Sequence, residues 1–409
     1  MKSLIPIWFL LFGLSSCFIF GQSDYLEFKG KVIDAQTGKS IPEVHLSVQN
    51  TNISTLANNQ GEFTIKVPED QKEAVIGFFK IDYKPKSVQL TFFNKDYTEI
   101  TLQPEASKAE KLDEVALYYG VDPREIVEKA IHKADKRQEK LIGFYREKID
   151  KSRRNVMLGE AVIQIDQEKW TQGTKGEISV FKSRKRTDYK RLDTLAVKLR
   201  GGPYSGLYLD LASYPEFLFF RKDLSAFNFS FEESTIIEGN FVFVIDFEQI
   251  DKSLPWYYGR LFIDAKTNSF IKVDYNLNVD DKRAAAAMLV VKKPGRARVT
   301  PLEVNYKAEY IEKDGIWYFN YGQFFIRLRV NWRGKLFNSQ YAIQTEMAVT
   351  NRGEQPFFDK KQLKRIKPSV VMSDDILGFE DPEFWGAQNV IQPDKNIREI
   401  IESIQDKIK

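Results

Sequence analysis

The sequence contains little of the side-chain chemistry on which many enzymes depend. Its 409 residues include one cysteine, Cys17, and two histidines, His45 and His132. A disulfide requires two thiols, and a zinc site requires several clustered Cys, His or carboxylate ligands. Neither histidine begins an HExxH or HxxE pattern. We expect both at the surface, because His45 alternates outward on a strand and His132 lies off the apolar face of a helix. The sequence therefore predicts no disulfide, no metal site and no thiol nucleophile.

Nucleotide-binding and nucleophile motifs are also missing. The sequence contains no P-loop and no G-x-G-x-x-G run, and "GPYSGLY" is not a G-x-S-x-G elbow. The charge is nearly balanced, with 61 basic and 57 acidic residues and a net charge of +4. Such a balance gives no reason to expect a nucleic-acid partner. We expect no cofactor and no catalytic residue.

Long apolar runs are absent after the first twenty residues. The chain begins with Lys2 and an apolar stretch from Leu4 to Phe20, followed by the small residue Gly21. A basic start, a short apolar core and a small residue at the exit are typical of a secretory signal. We expect residues 1–21 to be removed and the protein to be exported, to the periplasm or in association with the outer membrane. The alternative is a lipoprotein, since "LSSC" places Cys17 where a lipidated cysteine would stand.

Short alternating strands occupy residues 26–103. In "EVHLSVQ" the residues Val44, Leu46 and Val48 share one face, and in "EFTIKV" so do Phe63 and its alternate neighbours. Turns rich in Gly, Asn and Pro separate the strands. This spacing predicts a small β-sandwich.

The run "GKVID…TG…IP…VHLSV…NQGEFTI", which starts at Gly30, resembles the carboxypeptidase regulatory-like domain. The resemblance implies a seven-stranded, transthyretin-like β-sandwich of the kind found in proteins of the Gram-negative envelope. The segment Lys111–Leu117, "KLDEVAL", is similar to the segment that comes after this domain in such families. The family implies a folding or docking module, and it implies no peptidase activity.

The remaining chain divides by pattern into three parts. Residues 104–140 are predicted to form a linker and a helix from Asp122 to Lys140, with Ile126, Val127, Ala130 and Ile131 on its apolar face. Residues 141–355 alternate over long stretches and predict a large antiparallel sheet. The hairpin "RLFIDAKTNSFIKVDYNL" is similar to the half-barrel of lipoprotein carriers, a curved sheet around an apolar groove.

The tail, residues 356–409, predicts an amphipathic helix. Its apolar stripe consists of Ile397, Ile400, Ile401, Ile404 and Ile408. We expect this helix to dock on its own protein, and the alternative is a helix that binds a partner. The fold class expected for the whole chain is mainly β: the N-terminal sandwich, then a larger curved antiparallel sheet, with a few helices.

Two kinds of side chain are candidates for contact with a ligand or partner. One is a basic cluster within 182–191, and the second basic cluster is "KKPGRAR" at 292–298. The other is aromatic residues interleaved with polar ones, which could stack on sugars; the alternatives are solvated charge for the basic clusters and ordinary core packing for the rings. The candidate contacts are Arg184, Lys185, Arg186, Trp256, Tyr257, Tyr258, Trp317 and Tyr318.

The function these observations favour is a non-enzymatic envelope protein for binding or assembly, which holds a partner protein, a lipid or a glycan. The alternative is a carboxylate-dependent, glycosidase-like hydrolase in residues 141–355. That alternative requires two acidic side chains roughly 5–10 Å apart in one pocket.

Overall fold

The computed structural model describes most of the chain from residue 25 onward. The predicted signal at 1–21, the lipidation alternative at Cys17 and the segment Lys111–Leu117 lie outside the described residues. The described residues are 25–94, 96–105, 120–133, 139–167, 176–190, 198–199, 202–219, 223–233, 235–237, 240–334, 338–353, 357–366 and 377–408.

Strands dominate the described residues, which confirms the mainly β prediction. The strands are β1 (Tyr25–Asp34), β2 (His45–Val48), β3 (Ser54–Leu56), β4 (Glu62–Pro68), β5 (Val75–Phe79), β6 (Lys86–Gln89), β7 (Thr98–Leu102), β8 (Lys140–Lys151), β9 (Arg154–Asp166), β10 (Glu177–Thr187), β11 (Lys198–Leu199), β12 (Phe227–Phe231), β13 (Thr235–Ile237), β14 (Asn240–Gln249), β15 (Tyr257–Asp264), β16 (Phe270–Leu277), β17 (Val290–Lys292), β18 (Ala297–Lys313), β19 (Ile316–Trp332), β20 (Ser339–Gly353) and β21 (Lys364–Arg365). The α-helices are α1 (Pro123–Lys133), α2 (Pro203–Leu207), α3 (Lys282–Leu289) and α4 (Lys395–Ile408). Short 3-10 helices occupy Glu69–Gln71, Leu90–Phe92, Pro215–Phe217, Leu224–Ala226, Lys360–Gln362 and Leu377–Phe379. No helix in the described part of the chain combines the length and the apolarity needed to cross a bilayer.

The N-terminal strands form two small sheets that enclose one core. The strand orders are β4-β1-β7, with β1 and β7 parallel, and β3-β2-β5-β6. The alternation in β4 acts as predicted, since Phe63, Ile65 and Val67 are each at most 1 % exposed. The turn before β4 needs Gly61, because a Cβ there would lie 2.6 Å from the carbonyl oxygen of Val32 and φ is +73°. This unit is the predicted sandwich.

The second part of the protein is one large antiparallel sheet. Its order is β12-β14-β15-β16-β18-β19-β20-β8-β9-β10-β21, and β13 pairs with β14 at one edge. Most neighbours follow one another in sequence, but β20 pairs with β8, about 200 residues away in the register Glu346 to Arg146. In the described residues the edge strands β12 and β21 do not pair with each other, so the sheet is open.

One face of this sheet, the inner face, carries the main hydrophobic core. The helix α1 and residues 202–219 and 223–226 cover it, and the side chains of Val127, Leu207 and Phe219 are fully buried against strand residues such as Tyr145 and Ile163. The apolar face predicted for α1 is confirmed. The chain itself therefore covers the apolar face of the large sheet.

The C-terminal segment 377–408 lies between the sandwich and the opposite, outer face of the sheet. The ring of Trp385 packs edge-on against Phe144, with centroids 5.8 Å apart. The guanidinium of Arg146 donates to the carbonyl of Ile391 at 2.8 Å, and the backbone N–H of Lys66 donates to Asn389 at 2.8 Å. The segment thus contacts both units at once.

The helix α4 docks as its apolar stripe predicted. Ile397 and Ile404 are 6 % and 1 % exposed, and they pack with Leu158 of the sheet and with Phe379. Its N-terminus is capped by Asp394, whose carboxylate accepts from the N–H of Ile397 at 2.8 Å.

Candidate functional site

Directly paired residues form a row of polar side chains across the outer face. Paired residues in neighbouring strands point to the same side of a sheet, so the pairing register places these side chains in one line. We call this line of side chains the charged row. Most of its members alternate in charge from strand to strand, and Gln323 interrupts the alternation. In order from β14 to β10 the charged row is Asp246, Arg260, Asp274, Lys307, Gln323, Glu346, Arg146, Glu160 and Arg184.

The part of the charged row on β8, β9 and β10 is buried beneath the C-terminal segment. Glu160 is fully buried, with one carboxylate oxygen 2.6 Å from Arg146 and the other 2.6 Å from Arg184. Burial alone would raise the pKa of Glu160, but the two guanidinium groups outweigh it and hold the pKa below its usual value. Arg184 also donates to the carbonyl of Gly378 at 3.1 Å. These charges anchor the tail and are closed to solvent.

A second ionic cluster joins the sandwich to the sheet. His45 is only 4 % exposed, so the prediction that it lies at the surface is wrong. The face of β2 that would be solvated in an isolated sandwich rests on the large sheet, and His45 Nε2 contacts Glu309 at 3.0 Å. Lys80 lies 3.4 Å from Glu309, and Lys307 lies 2.8 Å from it. His132, in contrast, is exposed as predicted.

Burial lowers the pKa of His45, against the raising effect of the Glu309 carboxylate. Glu309 behaves in the opposite way: burial would raise its pKa, but Lys80, His45 and Lys307 hold the pKa well below its usual value. The neutral imidazole and the ionised carboxylate are therefore the stable pair at neutral pH.

The other part of the outer face, on β12, β14, β15, β16, β18 and β19, is not covered by any residue that the structure describes. Two adjoining recesses of about 640 Å³ and about 240 Å³ lie there and share Asp274 and Asn276. We call them together the outer trough. At Lys307 the outer trough adjoins the sandwich, because Lys307 pairs with Glu43. The outward side chains that line it are Asn228, Ser230, Asp246, Glu248, Tyr258, Arg260, Phe262, Lys272, Asp274, Asn276, Asn305, Lys307, Gln323 and Phe325.

Ion pairs hold the charged side chains of the outer trough in place. Arg260 contacts Asp246 at 2.7 Å, and Lys272 contacts Asp274 at 2.7 Å. The hydrogen bond that Arg260 donates to Asp246 raises the pKa of Arg260, which keeps the guanidinium charged. Three acidic and three basic side chains line the outer trough, so its formal charge is zero.

Aromatic rings stand among these polar groups. Tyr258 is 46 % exposed, and Phe262 and Phe325 are half-buried on the same face. The ammonium of Lys272 lies 5.2 Å from the ring centre of Phe262, and the guanidinium of Arg327 lies 5.9 Å from that of Phe325. The outer trough therefore places the exposed ring of Tyr258 and two half-buried Phe rings among hydrogen-bonding groups.

The eight candidate contacts from the sequence do not come together. Only Tyr258 lines the outer trough. Its neighbours Trp256 and Tyr257 point to the inner face, where Trp256 stacks 6.0 Å from Phe227 and Tyr257 lies 5.5 Å from Tyr275.

The other aromatic and basic candidates lie elsewhere. Trp317 is 8 % exposed in the inner core, and the half-buried Tyr318 lies under the guanidinium of Arg352 at 4.8 Å. Arg184 and Lys185 are 7 % and 6 % exposed within β10, and Arg186 is half-buried beside them. This part of the cluster at 182–191 belongs to a strand, not to a solvated loop.

Sequence reasoning missed most of the outer trough. The segments "NFVFVIDFEQ" and "FIKVDYNL" do show Asp246 and Asp274 in outward strand positions, but so do many solvated strands. The register between strands places Asp246 and Asp274 on either side of Arg260. A local sequence pattern does not specify this register. In the described residues no three His, Cys, Asp or Glu side chains come together in a group that could hold a metal ion.

The sandwich matches a known family. The family model of the CarboxypepD_reg-like domain matches residues 28–117. This segment is a carboxypeptidase regulatory-like domain. The match confirms the resemblance drawn from "GKVID" and "NQGEFTI", and it covers the strands of the sandwich but not the large sheet. No curated protein matches the chain.

Several solved structures are similar to part of this chain. An outer-membrane lipoprotein-sorting protein domain from Vibrio parahaemolyticus is 11 % identical, with 59 % of this chain and 96 % of that chain covered and a TM-score of 0.25. A LolA superfamily protein from Nitrosomonas europaea is 9 % identical, with 59 % and 100 % covered and a TM-score of 0.20. The Pseudomonas aeruginosa MucA/MucB complex is 12 % identical, with 61 % and 100 % covered and a TM-score of 0.18. Identities and TM-scores this low support no inference about this chain.

Proposed function

We propose that this protein is a non-enzymatic binding protein of the cell envelope that holds a glycan in the outer trough. The observation that carries the proposal is the contrast between the two faces of the large sheet. The chain itself covers the apolar inner face, whereas no described residue covers the outer trough, which is polar and contains the exposed ring of Tyr258.

The chemistry of the outer trough selects among the three expected partners. A lipid chain requires an apolar groove, and the apolar face of the sheet is occupied by α1 and by residues 202–219 and 223–226. A glycan requires hydrogen-bonding groups in fixed positions and a ring on which a sugar face can stack. Tyr258, Arg260 and Asn276 provide such groups on neighbouring strands. The zero formal charge suits a neutral sugar chain.

The regulatory-like domain acts in this proposal as a support. It adjoins the outer trough at Lys307, which pairs with Glu43, and it fixes β18 through the contact between His45 and Glu309. Rigid walls favour binding because little conformational entropy is lost when a ligand enters. Location in the envelope rests on the predicted signal at residues 1–21 and on the occurrence of this domain family in envelope proteins.

The hydrolase alternative has a defined place in the structure. Asp246 and Asp274 stand two strands apart in the outer trough, about 10 Å between their backbones. A glycosidase needs one carboxyl group protonated as general acid. Here both carboxylates are already engaged in ion pairs, Asp246 with Arg260 and Asp274 with Lys272. The geometry therefore favours binding over hydrolysis.

A panel of neutral and acidic oligosaccharides tests the proposal by calorimetry with the full chain. We expect a neutral oligosaccharide to bind, and Tyr258→Ala and Phe325→Ala each to weaken binding about tenfold. Phe92→Ala is the matched control, because Phe92 is 75 % exposed on the sandwich, outside the outer trough, and should leave affinity unchanged. If both trough variants bind like the wild type, the proposal is wrong. Release of reducing sugar that stops in Asp246→Asn or Asp274→Asn would instead establish the hydrolase.

A further inference from the structure

Four separate segments meet at one end of the long strands. The turn between β8 and β9 hydrogen-bonds to β20, since the N–H of Ser152 donates to Gln340 at 2.9 Å. The end of β10 lies beside the start of β9, since the N–H of Asp188 donates to Val156 at 2.8 Å. On the other side, the N–H of Arg333 donates to Arg296 at 2.8 Å. We call this edge of the sheet the basic end.

The basic end concentrates positive charge that is scattered in the sequence. Its exposed cations are Arg153, Arg154, Lys190, Lys292, Lys293, Arg296, Arg298 and Arg333. None of them forms an ion pair with another described residue. The carboxylate of Asp150 is engaged by Lys148 at 3.0 Å, and Asp188 also has a partner. Elsewhere on the outer face the charges alternate, so this excess of one sign is local.

Two large side chains with apolar surface stand among these cations. Val291 is 62 % exposed beside Lys292, and Tyr189 is 54 % exposed beside Lys190. Tyr189 follows the end of β10, and Val291 lies on β17, which pairs with β11 and precedes β18 in the chain. A Tyr and an aliphatic residue flanked by lysines are the side chains that enter the interfacial layer of a bilayer while the ammonium groups stay with the phosphates.

We propose that the basic end binds the surface of a membrane that contains anionic lipids. The cations span the five strand spacings from β18 to β10, about 25 Å, which matches an extended charged surface better than one small anion. Val291 and Tyr189 select lipid over a soluble polyanion, because a polysaccharide offers no apolar layer to receive them. The proposal is independent of the glycan site, since the outer trough lies towards the middle of the strands.

Vesicle sedimentation tests the proposal with the full chain. We expect binding to vesicles of phosphatidylcholine mixed with phosphatidylglycerol and no binding to pure phosphatidylcholine. Binding should weaken as salt rises, because screening shortens the reach of surface charges. Soluble alginate, a polyanion without an apolar layer, tests the alternative that the basic end binds a soluble polyanion. Binding to alginate without binding to vesicles would overturn the lipid proposal.

A charge variant with a matched control distinguishes binding by the basic end from binding by positive charge anywhere on the protein. The charge variant changes four residues to Gln: Arg154, Lys190, Lys292 and Arg298. The loss of each charge should lower the partition coefficient between vesicle and solution about fivefold, and the loss of all four should lower it about a hundredfold or more. In the control variant the exposed Lys72, Lys84, Lys266 and Lys360 are changed to Gln, which removes the same charge away from the basic end. Val291→Ser should reduce the binding that persists at raised salt. Equal losses in the two four-residue variants, with both folded by circular dichroism, would contradict the proposal.

Discussion

His45 Nε2 lies 3.0 Å from Glu309 Oε2, and this contact joins β2 of the regulatory-like domain to β18 of the large sheet. The two residues are 264 positions apart in the chain. Both are buried, so the pair exists only when the sandwich is docked. The contact makes docking of the two units sensitive to protonation.

Stability should fall as the pH drops below about 6.5, and His45 should account for part of the fall. The pKa of His45 is lowered in the folded protein, so below about 6.5 the unfolded chain binds a proton that the folded chain does not. The loss approaches at most about 1.4 kcal/mol per pH unit. Urea unfolding at pH 7.5 and pH 5.5 measures it. His45→Gln should flatten this dependence, whereas His132→Gln, at an exposed site, should retain it.

Replacing Glu160 by Gln should destabilise the protein by about 3–5 kcal/mol. The change leaves Arg146 and Arg184 buried without their counter-ion, and uncompensated buried charge carries a cost of that order. Chemical denaturation measures the free energy of unfolding. Glu248→Gln is the control, since Glu248 is exposed and should change stability by no more than about 0.5 kcal/mol. Equal effects at the two positions would contradict the role given to Glu160.

Replacing Trp385 by Ala should loosen the C-terminal segment. Trp385 is 9 % exposed, packs on Phe144 and lies 5.2 Å from the guanidinium of Arg184. Truncating a buried Trp costs about 3–5 kcal/mol. Limited proteolysis should then cut within 377–408 before the rest of the chain is attacked. If the tail stays as resistant as in the wild type, Trp385 does not anchor it.

Replacing Gly259 by Ala should distort the pairing of β15 with β16, which together form part of the outer trough. A Cβ at Gly259 would lie 2.2 Å from the carbonyl oxygen of Asp274, which is backbone and cannot move aside alone. The expected destabilisation is about 1–3 kcal/mol, and glycan binding should weaken with it. Gly295→Ala is the control because nothing lies within 4 Å of a Cβ there. Thermal unfolding measures the loss of stability, and calorimetry measures the loss of glycan affinity. Together they distinguish a distorted outer trough from an unfolded protein.

The local patterns predicted the elements and failed at their assembly. Phe63, Ile65 and Val67 are buried as their spacing predicts, because a strand of period two has one apolar face whatever it later contacts. The prediction that His45 lies at the surface was wrong for the opposite reason. Its outward position on β2 is solvated in an isolated sandwich, but in this protein that face rests on another unit.

The amino-acid sequence by itself determined the mainly β class, the regulatory-like sandwich and the amphipathic tail helix, since each depends on spacing within a short segment. The tertiary structure alone decided that Arg184 is buried, that Tyr258 belongs to a trough without Trp256 and Tyr257, and that Arg154 and Arg298 share one basic end. These relations depend on the pairing of β20 with β8 and on the docking of the sandwich. Contacts between residues about 200 positions apart are fixed by the complementarity of whole surfaces, which no local spacing records.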